Sequence, residues 1–380
     1  MGTKKERPFI MKVLYVGCYR DGTGWGQAAI DYILAMDLAG IDVVPRPIKL
    51  NSRNHQPPKR ILELEAKSSS GADICIQHTL PHLMDYSNKF KKNIALYATE
   101  TDSFVDSGWS RKINMMDEAW VINNQMVESS KKSGVNIPIK VVPHASDVKK
   151  FYKKYDKLTL PQAEENFVFY TIADLNKRKN LESFIRAFHT EFEPSEPVSI
   201  LIKSSKYGMA AEDTAKNIKD ICNKVKSGIK KFISLDAYKE DLIIADFIND
   251  EAICGIHESC DCFVMPSYGE AWCIPAFDAM GFGNTPICTN VGGMADFVGH
   301  AGFLIEGRLE PVRDMTETFA DLFTGNENWL SIDELELMKV MRHVYENKDE
   351  LSRMRQEGLE QAQKYCHKNI GDLMKGLLDA

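Results

Sequence analysis

Short apolar, β-branched runs alternate with stretches of helical period along most of the chain. Residues 12–16, 42–44, 74–76, 94–97, 119–122 and 140–142 each read as a brief buried strand, because a parallel strand covered on both faces is apolar without alternation. Between 27 and 39, Ala28, Ile30, Ile33, Leu34 and Met36 gather near one side, and Gly40 supplies a stop, which predicts a helix. After the polar stretch 156–166 the same grammar restarts, with strands predicted at 167–170, 198–202, 242–244, 262–265, 286–288 and 302–305. Two doubly wound α/β domains in series are the expectation, 1–157 and 158–350. A helical tail over 351–380 is expected to pack back toward the N-terminal domain. Ser331 and Glu334 read as a capping box, with Leu337, Val340, Met341 and Val344 behind them at helical spacing. A ligand shared by the two domains would sit in a central cleft at the carboxyl ends of both sheets.

With 380 residues, 44% hydrophobic, 27% charged and a mean hydropathy of -0.30, the composition excludes disorder, collagen and coiled coil as descriptions of the whole. No apolar run approaches the roughly 20 residues that span a bilayer, and the opening Met-Gly-Thr-Lys-Lys-Glu-Arg has no apolar stretch behind it. A cytoplasmic location, or one peripheral to the inner face of a membrane, is therefore expected. Nine unevenly spaced cysteines inside apolar runs read as reduced small hydrophobes. Charge is uneven: residues 1–157 hold 24 Lys+Arg against 17 Asp+Glu, net +7, and the remainder 23 against 37, net -14. Such a basic half suits an anionic partner as well as it suits solvated lysine faces.

Two segments carry candidate chemistry. Gly22-Thr23-Gly24-Trp25-Gly26 lies between the first predicted strand and helix, where glycines let a phosphate or sugar approach the backbone and the helix N-terminus favours an anion. Its G-x-G-x-G spacing is not the dinucleotide fingerprint, and no acid ends the second strand to hold a ribose, so a plain tight turn is the alternative. The second segment is 266–281. There a loop carries Glu270, Pro275 is placed to open a helix, and Asp278 follows in its early turns. N–H groups at Trp272, Cys273 and Ile274 are expected to be free for a diphosphate, with Ala271 beside them, while the two carboxylates would accept from sugar hydroxyls. Asp278 could instead merely complement the helix dipole, which leaves Glu270 unexplained. His257, Cys260 and Cys262 lack paired C-x-x-C elements and a fourth ligand, so they read as core rather than metal site. No G-x-S-x-G or P-loop pattern is present.

These residues resemble the retaining glycosyltransferases of family 4, which have the two-domain GT-B fold. The family's Glu-x7-Glu signature is present as Glu270-x7-Asp278, with Asp in place of the second Glu, followed by Gly283-Asn284-Thr285-Pro286. Ala173–Asn180 resembles the segment in which an Arg and a Lys bind the donor diphosphate: Lys179 matches the Lys, Asp174 stands where the Arg is usual, and Arg178 is the substitute cation. Val142-Pro143-His144-Ala145-Ser146-Asp147 resembles a conserved turn of the family, with Ala145 for Gly, and Asn290–Gly293 its later glycine turn. Several family members carry a His near the sugar in the loop that here reads Ala98-Thr99-Glu100-Thr101-Asp102. Glu100 is the reaction-side candidate in its place, with His78, His82, Asp102 and His144 as further acceptor-side candidates.

The resemblance implies transfer of a hexose-type sugar from a nucleoside diphosphate sugar, UDP favoured over GDP, to a hydroxyl with retention. It implies no cofactor and no metal. Arg178, Lys179 and the backbone at Gly24, Trp25, Gly26 and 271–274 would stabilise the leaving diphosphate, Asp278 would hold the ribose, and Glu270 would orient the sugar. The basic first half suggests an anionic acceptor: a glycan, a lipid-linked glycan at a membrane surface, or a modified nucleic acid. A sugar-nucleotide epimerase and a non-catalytic sugar-nucleotide binder are the alternatives, and an NAD-dependent oxidoreductase would need the fingerprint that is missing.

Overall fold

A computed structural model describes residues 11–52, 55–160, 163–313, 315 and 323–380. The opening heptapeptide and two residues of the polar stretch 156–166 lie outside the described residues. Contacts group the chain into two units, each taken by itself below. The first comprises the described residues of Met1–Thr99, Ser103–Asp147 and Tyr365–Ala380; the second comprises Glu100–Asp102 and Val148–Lys364.

In the first unit, β1 (Lys12–Gly17), β2 (Asp42–Pro47), β3 (Ile74–His78), β4 (Lys92–Tyr97), β5 (Glu118–Val121) and β6 (Ile139–Val141) form one parallel sheet in the order β2-β1-β3-β4-β5-β6. All six match predicted strands, and β3 and β5 are buried throughout, as apolar runs without alternation require. Helices α1 (Gly24–Leu38), α2 (Lys59–Glu65), α3 (Trp109–Ile113) and α4 (Asn124–Lys132) connect the strands. The Thr23 hydroxyl caps α1 by accepting from Gly26 N at 3.1 Å.

The one-sided helix expected at 27–39 is covered on more than one side. Ala28, Ala29, Ile30, Asp31, Tyr32, Ile33, Ala35 and Met36 are all buried, because the last helix of the chain, α12 (His367–Asp379), packs against the face of α1 that its own sheet does not cover. That contact is close: a Cβ at Gly371 would overlap the Ala35 carbonyl. Only a glycine lets the two helix backbones meet there.

In the second unit, β7 (Phe167–Asp174), β8 (Val198–Ser205), β9 (Asp241–Ile244), β10 (Cys262–Met265), β11 (Thr285–Thr289) and β12 (Phe303–Ile305) form a parallel sheet in the order β12-β11-β10-β7-β8-β9. Helices α5 (Leu181–Glu191), α6 (Ala211–Ile229), α7 (Asp250–Ser259), α8 (Ile274–Phe282), α9 (Gly292–Phe297), α10 (Glu334–Glu346) and α11 (Lys348–Gln363) accompany it. Phe167, Phe169, Phe184, Phe188 and Phe192 fill its core with Ile200, Ile202 and Val264. The chain runs from β7 outward to β9, then returns to β10 on the other side of β7. The loops after β7 and β10 therefore leave the sheet in opposite directions, and this reversal opens the crevice in which doubly wound sheets bind ligands.

Two strands were not anticipated. β13 (Gly307–Pro311) and β14 (Asn328–Ile332) form an antiparallel pair. Arg308, Leu309, Glu310 and Pro311 are exposed, so burial imposes no alternation there for a reader to find. The pair also corrects the expected capping box. Ser331 is extended in β14, paired with Arg308, and Asp333 caps α10 instead, accepting from the N–H of Leu335 at 2.9 Å and Glu336 at 3.2 Å. The Glu334 carboxylate turns away to Ser183 and Arg186. Among the described residues no helix is long and apolar enough to cross a membrane.

Gly371→Ala tests the α1–α12 contact. Alanine favours an isolated helix by about 1 kcal/mol, so a net loss of about 1–3 kcal/mol in urea unfolding is the signature of the overlap with Ala35. Unchanged or raised stability would mean that the helices separate at no cost.

Candidate active site

The turn after β7 is built to present two cations. The Asn176 side chain accepts from Lys179 N at 3.3 Å, holding Lys177–Lys179 in a single tight turn that ends at Asn180 in the left-handed region, φ +51°. Asn tolerates that conformation, and here its side chain also donates to the Pro266 carbonyl at 3.0 Å and accepts from Ser183 at 2.9 Å. The turn is thereby fastened to the loop after β10, across the point where the strand order reverses.

On that loop Glu270 is 6% exposed. Its Oε1 lies 2.6 Å from Lys179 Nζ and 2.9 Å from Arg178 Nη1. Arg178 also donates to the Gly269 carbonyl and lies 3.3 Å from Glu100 Oε1 through Nη2. Burial alone would raise the Glu270 carboxyl; the Arg178 and Lys179 charges outweigh it and hold it down at about 2. Burial likewise works against the Arg178 charge, and Glu100 and Glu270 together overcome it and raise the guanidinium. Two cations and two carboxylates thus form one balanced cluster. Gly269 is required in it, because a Cβ there would overlap the Glu100 carbonyl. Asp174, at the position where the resembling family has its Arg, is exposed and accepts from Asn176 Nδ2 at 3.1 Å.

Helix α8 opens as predicted, with Pro275 in its first turn and Cys273 as N-cap in the left-handed region, φ +73°. Ala271, Trp272 and Cys273 are buried, and Ile274 begins the helix. Asp278, on its second turn, pairs with Lys150 Nζ at 2.6 Å. Lys150 is a partner of Asp278 that the pattern did not single out: it is one lysine in the run 149–154, and nothing in its spacing distinguishes it from its neighbours.

The first unit holds a second group of candidates at its own reversal point, after β1 and β3. A side chain at Gly24 would meet nothing within 4 Å, so the start of α1 is open beside it. The Trp25 and His78 rings lie 5.2 Å apart, and the Tyr15 hydroxyl is 2.6 Å from His78 Nδ1. Burial, then the neighbouring His144, pushes His78 down to about 3, so it is neutral at pH 7. His144 is buried 3.7 Å from Asp31, whose other oxygen meets His367 at 2.8 Å. His82 lies beside Trp109, with ring centroids 6.2 Å apart. Asp102, grouped with the second unit, meets Asn328.

Among the described residues no group of His, Cys, Asp and Glu is arranged to hold a metal ion. His257 pairs with the Tyr170 hydroxyl at 2.6 Å and stacks on Phe282, the core role expected for it. The nine cysteines form no disulfide.

Comparison with known proteins defines the class first. The fold is that of GT-B proteins. An Anabaena protein, HepE, solved in complex with UDP and glucose, superposes with a TM-score of 0.66 at 13% identity, covering 97% of this chain and 99% of that one. Sucrose-phosphate synthase from Thermosynechococcus elongatus gives 0.64 at 14% identity over 97% and 98%, and a glycosyltransferase from Rickettsia africae 0.62 at 12% over 97% of each. More particularly, residues 154–328 match the family model for glycosyl transferases group 1. That match supports the glycosyltransferase superfamily, on a segment that contains Arg178, Lys179, Glu270 and Asp278. No curated protein matches the chain.

The Glu270 carboxyl predicts an acid limb of stability. Its folded value, about 2, lies below its ordinary 4.5, so the stability it contributes is present above pH 4.5 and is lost as pH falls toward 2. The shift corresponds to about 3 kcal/mol. In urea unfolding, the gap between parent and Glu270→Gln should therefore be wide at pH 7 and about half as large at pH 3, closing further toward pH 2; an equal gap at pH 7 and pH 3 would show that Arg178 and Lys179 do not hold the carboxyl down.

Proposed function

We propose that this chain is a retaining, family 4 type hexosyltransferase that moves a sugar from a UDP-sugar to a hydroxyl of an anionic acceptor. The observation that carries the reading is the buried Glu270 carboxylate between Arg178 and Lys179 at the reversal point of the second sheet. The match to glycosyl transferases group 1 over 154–328 supports it, and the fold shared with a protein solved in complex with UDP and glucose supports UDP as the nucleotide of the donor.

In this reading Lys179 and Arg178 take the negative charge that grows on the leaving diphosphate. Both are already in place, so little reorganisation is needed when the sugar–phosphate bond breaks. Asp278 accepts from the ribose hydroxyls, its carboxylate oriented by Lys150. Glu270 orients the sugar and faces its developing positive charge. The acceptor hydroxyl attacks from the face that the diphosphate leaves, and its proton passes to the departing phosphate oxygen, so no protein nucleophile is used. The leaving group is served by side-chain cations, and the reading accordingly calls for no metal and no cofactor beyond the nucleotide sugar. The net charge of +7 over residues 1–157 supports an acceptor that carries phosphate, either a lipid-linked or phosphorylated glycan or a nucleic acid.

A thermal-shift titration with UDP, GDP, ADP and NAD tests the donor. UDP at 100 times its Kd should add about 2.7 kcal/mol of stability, and Lys179→Ala and Asp278→Ala should each remove the shift; a shift with NAD alone would overturn the assignment in favour of an oxidoreductase. With UDP-glucose as donor, Lys179→Ala should lower kcat by about 10²–10³ in a folded protein. Turnover should persist in EDTA and fall with added salt when the acceptor is anionic.

A further inference from the structure

The unanticipated pair β13–β14 ends beside the Arg178–Glu100 contact. Its strand β14 is tied to two segments of the second unit at once. On one side Trp329 lies flat on Tyr268, with centroids 5.5 Å apart and planes 2° from parallel, and Leu330 N–H donates to the Tyr268 carbonyl at 3.0 Å. Tyr268 is in the loop that carries Glu270. On the other side, Asn328 and Asp102 exchange three hydrogen bonds. Asp102 N–H donates to the Asn328 carbonyl at 3.1 Å, Asn328 N–H donates to Asp102 Oδ1 at 2.7 Å, and Asn328 Nδ2 donates to Asp102 Oδ2 at 3.1 Å.

Both oxygens of Asp102 are occupied in this clasp. Two residues earlier, Glu100 reaches Arg178, and the Glu100 carbonyl occupies the space left by the missing side chain of Gly269. The segment 100–102 is therefore fixed at each end, at 102 by Asn328 and at 100 by Gly269 and Arg178. Arg178 in turn is held between Glu100 and Glu270.

We propose that Asn328 is a positioning residue of the candidate active site: its clasp on Asp102 keeps Glu100 on Arg178 and so holds the guanidinium ready for an anion. Asn328 touches none of the four charged groups of the cluster in this chain of contacts; it acts through the backbone of 100–102. Asp102 is accordingly part of the clasp rather than a group presented to an acceptor. A guanidinium that has lost Glu100 has more freedom to lose on binding, and is a poorer ligand for a diphosphate on that account. The use of UDP as a probe rests on the function proposed above; the clasp itself does not.

The clasp has a polarity that can be broken and then restored. Asn328→Asp sets two carboxylates against each other. Adding Asp102→Asn in the same chain reverses donor and acceptor: the new amide at 102 donates to the carboxylate at 328 and still accepts from the backbone N–H there. Asn328→Asp should raise the rate at which phenylglyoxal modifies Arg178, measured by peptide mass mapping against Arg342 as internal reference, and the double variant should return it to the parental rate. UDP should bind Asn328→Asp roughly tenfold more weakly, the scale of one charged hydrogen bond, and the double variant should regain the parental Kd. A purely structural role would lower the unfolding midpoint without singling out Arg178. Parental reactivity of Arg178 in Asn328→Asp, or a double variant as reactive as the single one, would overturn the proposal. If parental protein binds no UDP, the donor reading fails, and the Arg178 reactivities still decide the clasp.

Discussion

Keeping one carboxylate ionised in a buried position governs the second unit. Taking Glu270 out of water costs several kcal/mol by itself, and the cost is met only if cations arrive with it and are themselves balanced. Lys179 and Arg178 supply the first requirement and Glu100 the second. Arg178 and Lys179 share one turn, and Glu270 and Glu100 sit on two other loops, so the cluster constrains three segments together. The left-handed Asn180, the side-chain-free Gly269 and the Asn328 clasp on Asp102 are the local means by which those segments reach their places.

Topology explains why the cluster forms where it does. Arg178 and Lys179 are about ninety residues from Glu270, yet β7 and β10 are hydrogen-bonded neighbours. Because the chain leaves β7 on one side and returns on the other, the loops after these two strands diverge and face a crevice. The same reversal between β1 and β3 places Trp25 beside His78 in the first unit. Charged groups gather at the second reversal and a buried neutral histidine at the first.

Packing places the last two helices with equal economy. Helix α12 covers α1 at a glycine and carries His367 to Asp31, while α11 belongs to the second unit and packs on α8, the helix of Asp278. Lys150 reaches Asp278 from the stretch that follows the first unit.

Strand positions and their parallel grammar were legible in the residues, because burial on both faces demands unbroken apolar runs, and all twelve parallel strands stand where such runs occur. Pro275 was legible as a helix start, with Glu270 and Asp278 as carboxylates on either side of it, whereas the cation pair at 178–179 stood out only through the family resemblance, since its residues by themselves fit a solvated basic turn equally well. What the chain alone could not disclose was everything decided by partners distant in sequence. The exposed β13 has no buried face to pattern it, and β14 hid the true cap at Asp333 behind a serine that fits the local rule. Lys150 differs from its neighbours only in what it touches. Asp102 and Asn328 are ordinary polar residues in the sequence until the fold brings together positions 226 apart. Local residues determined which elements form and which groups are available; the tertiary structure decided which of those groups meet, because a buried charge takes its meaning from neighbours that only the fold supplies.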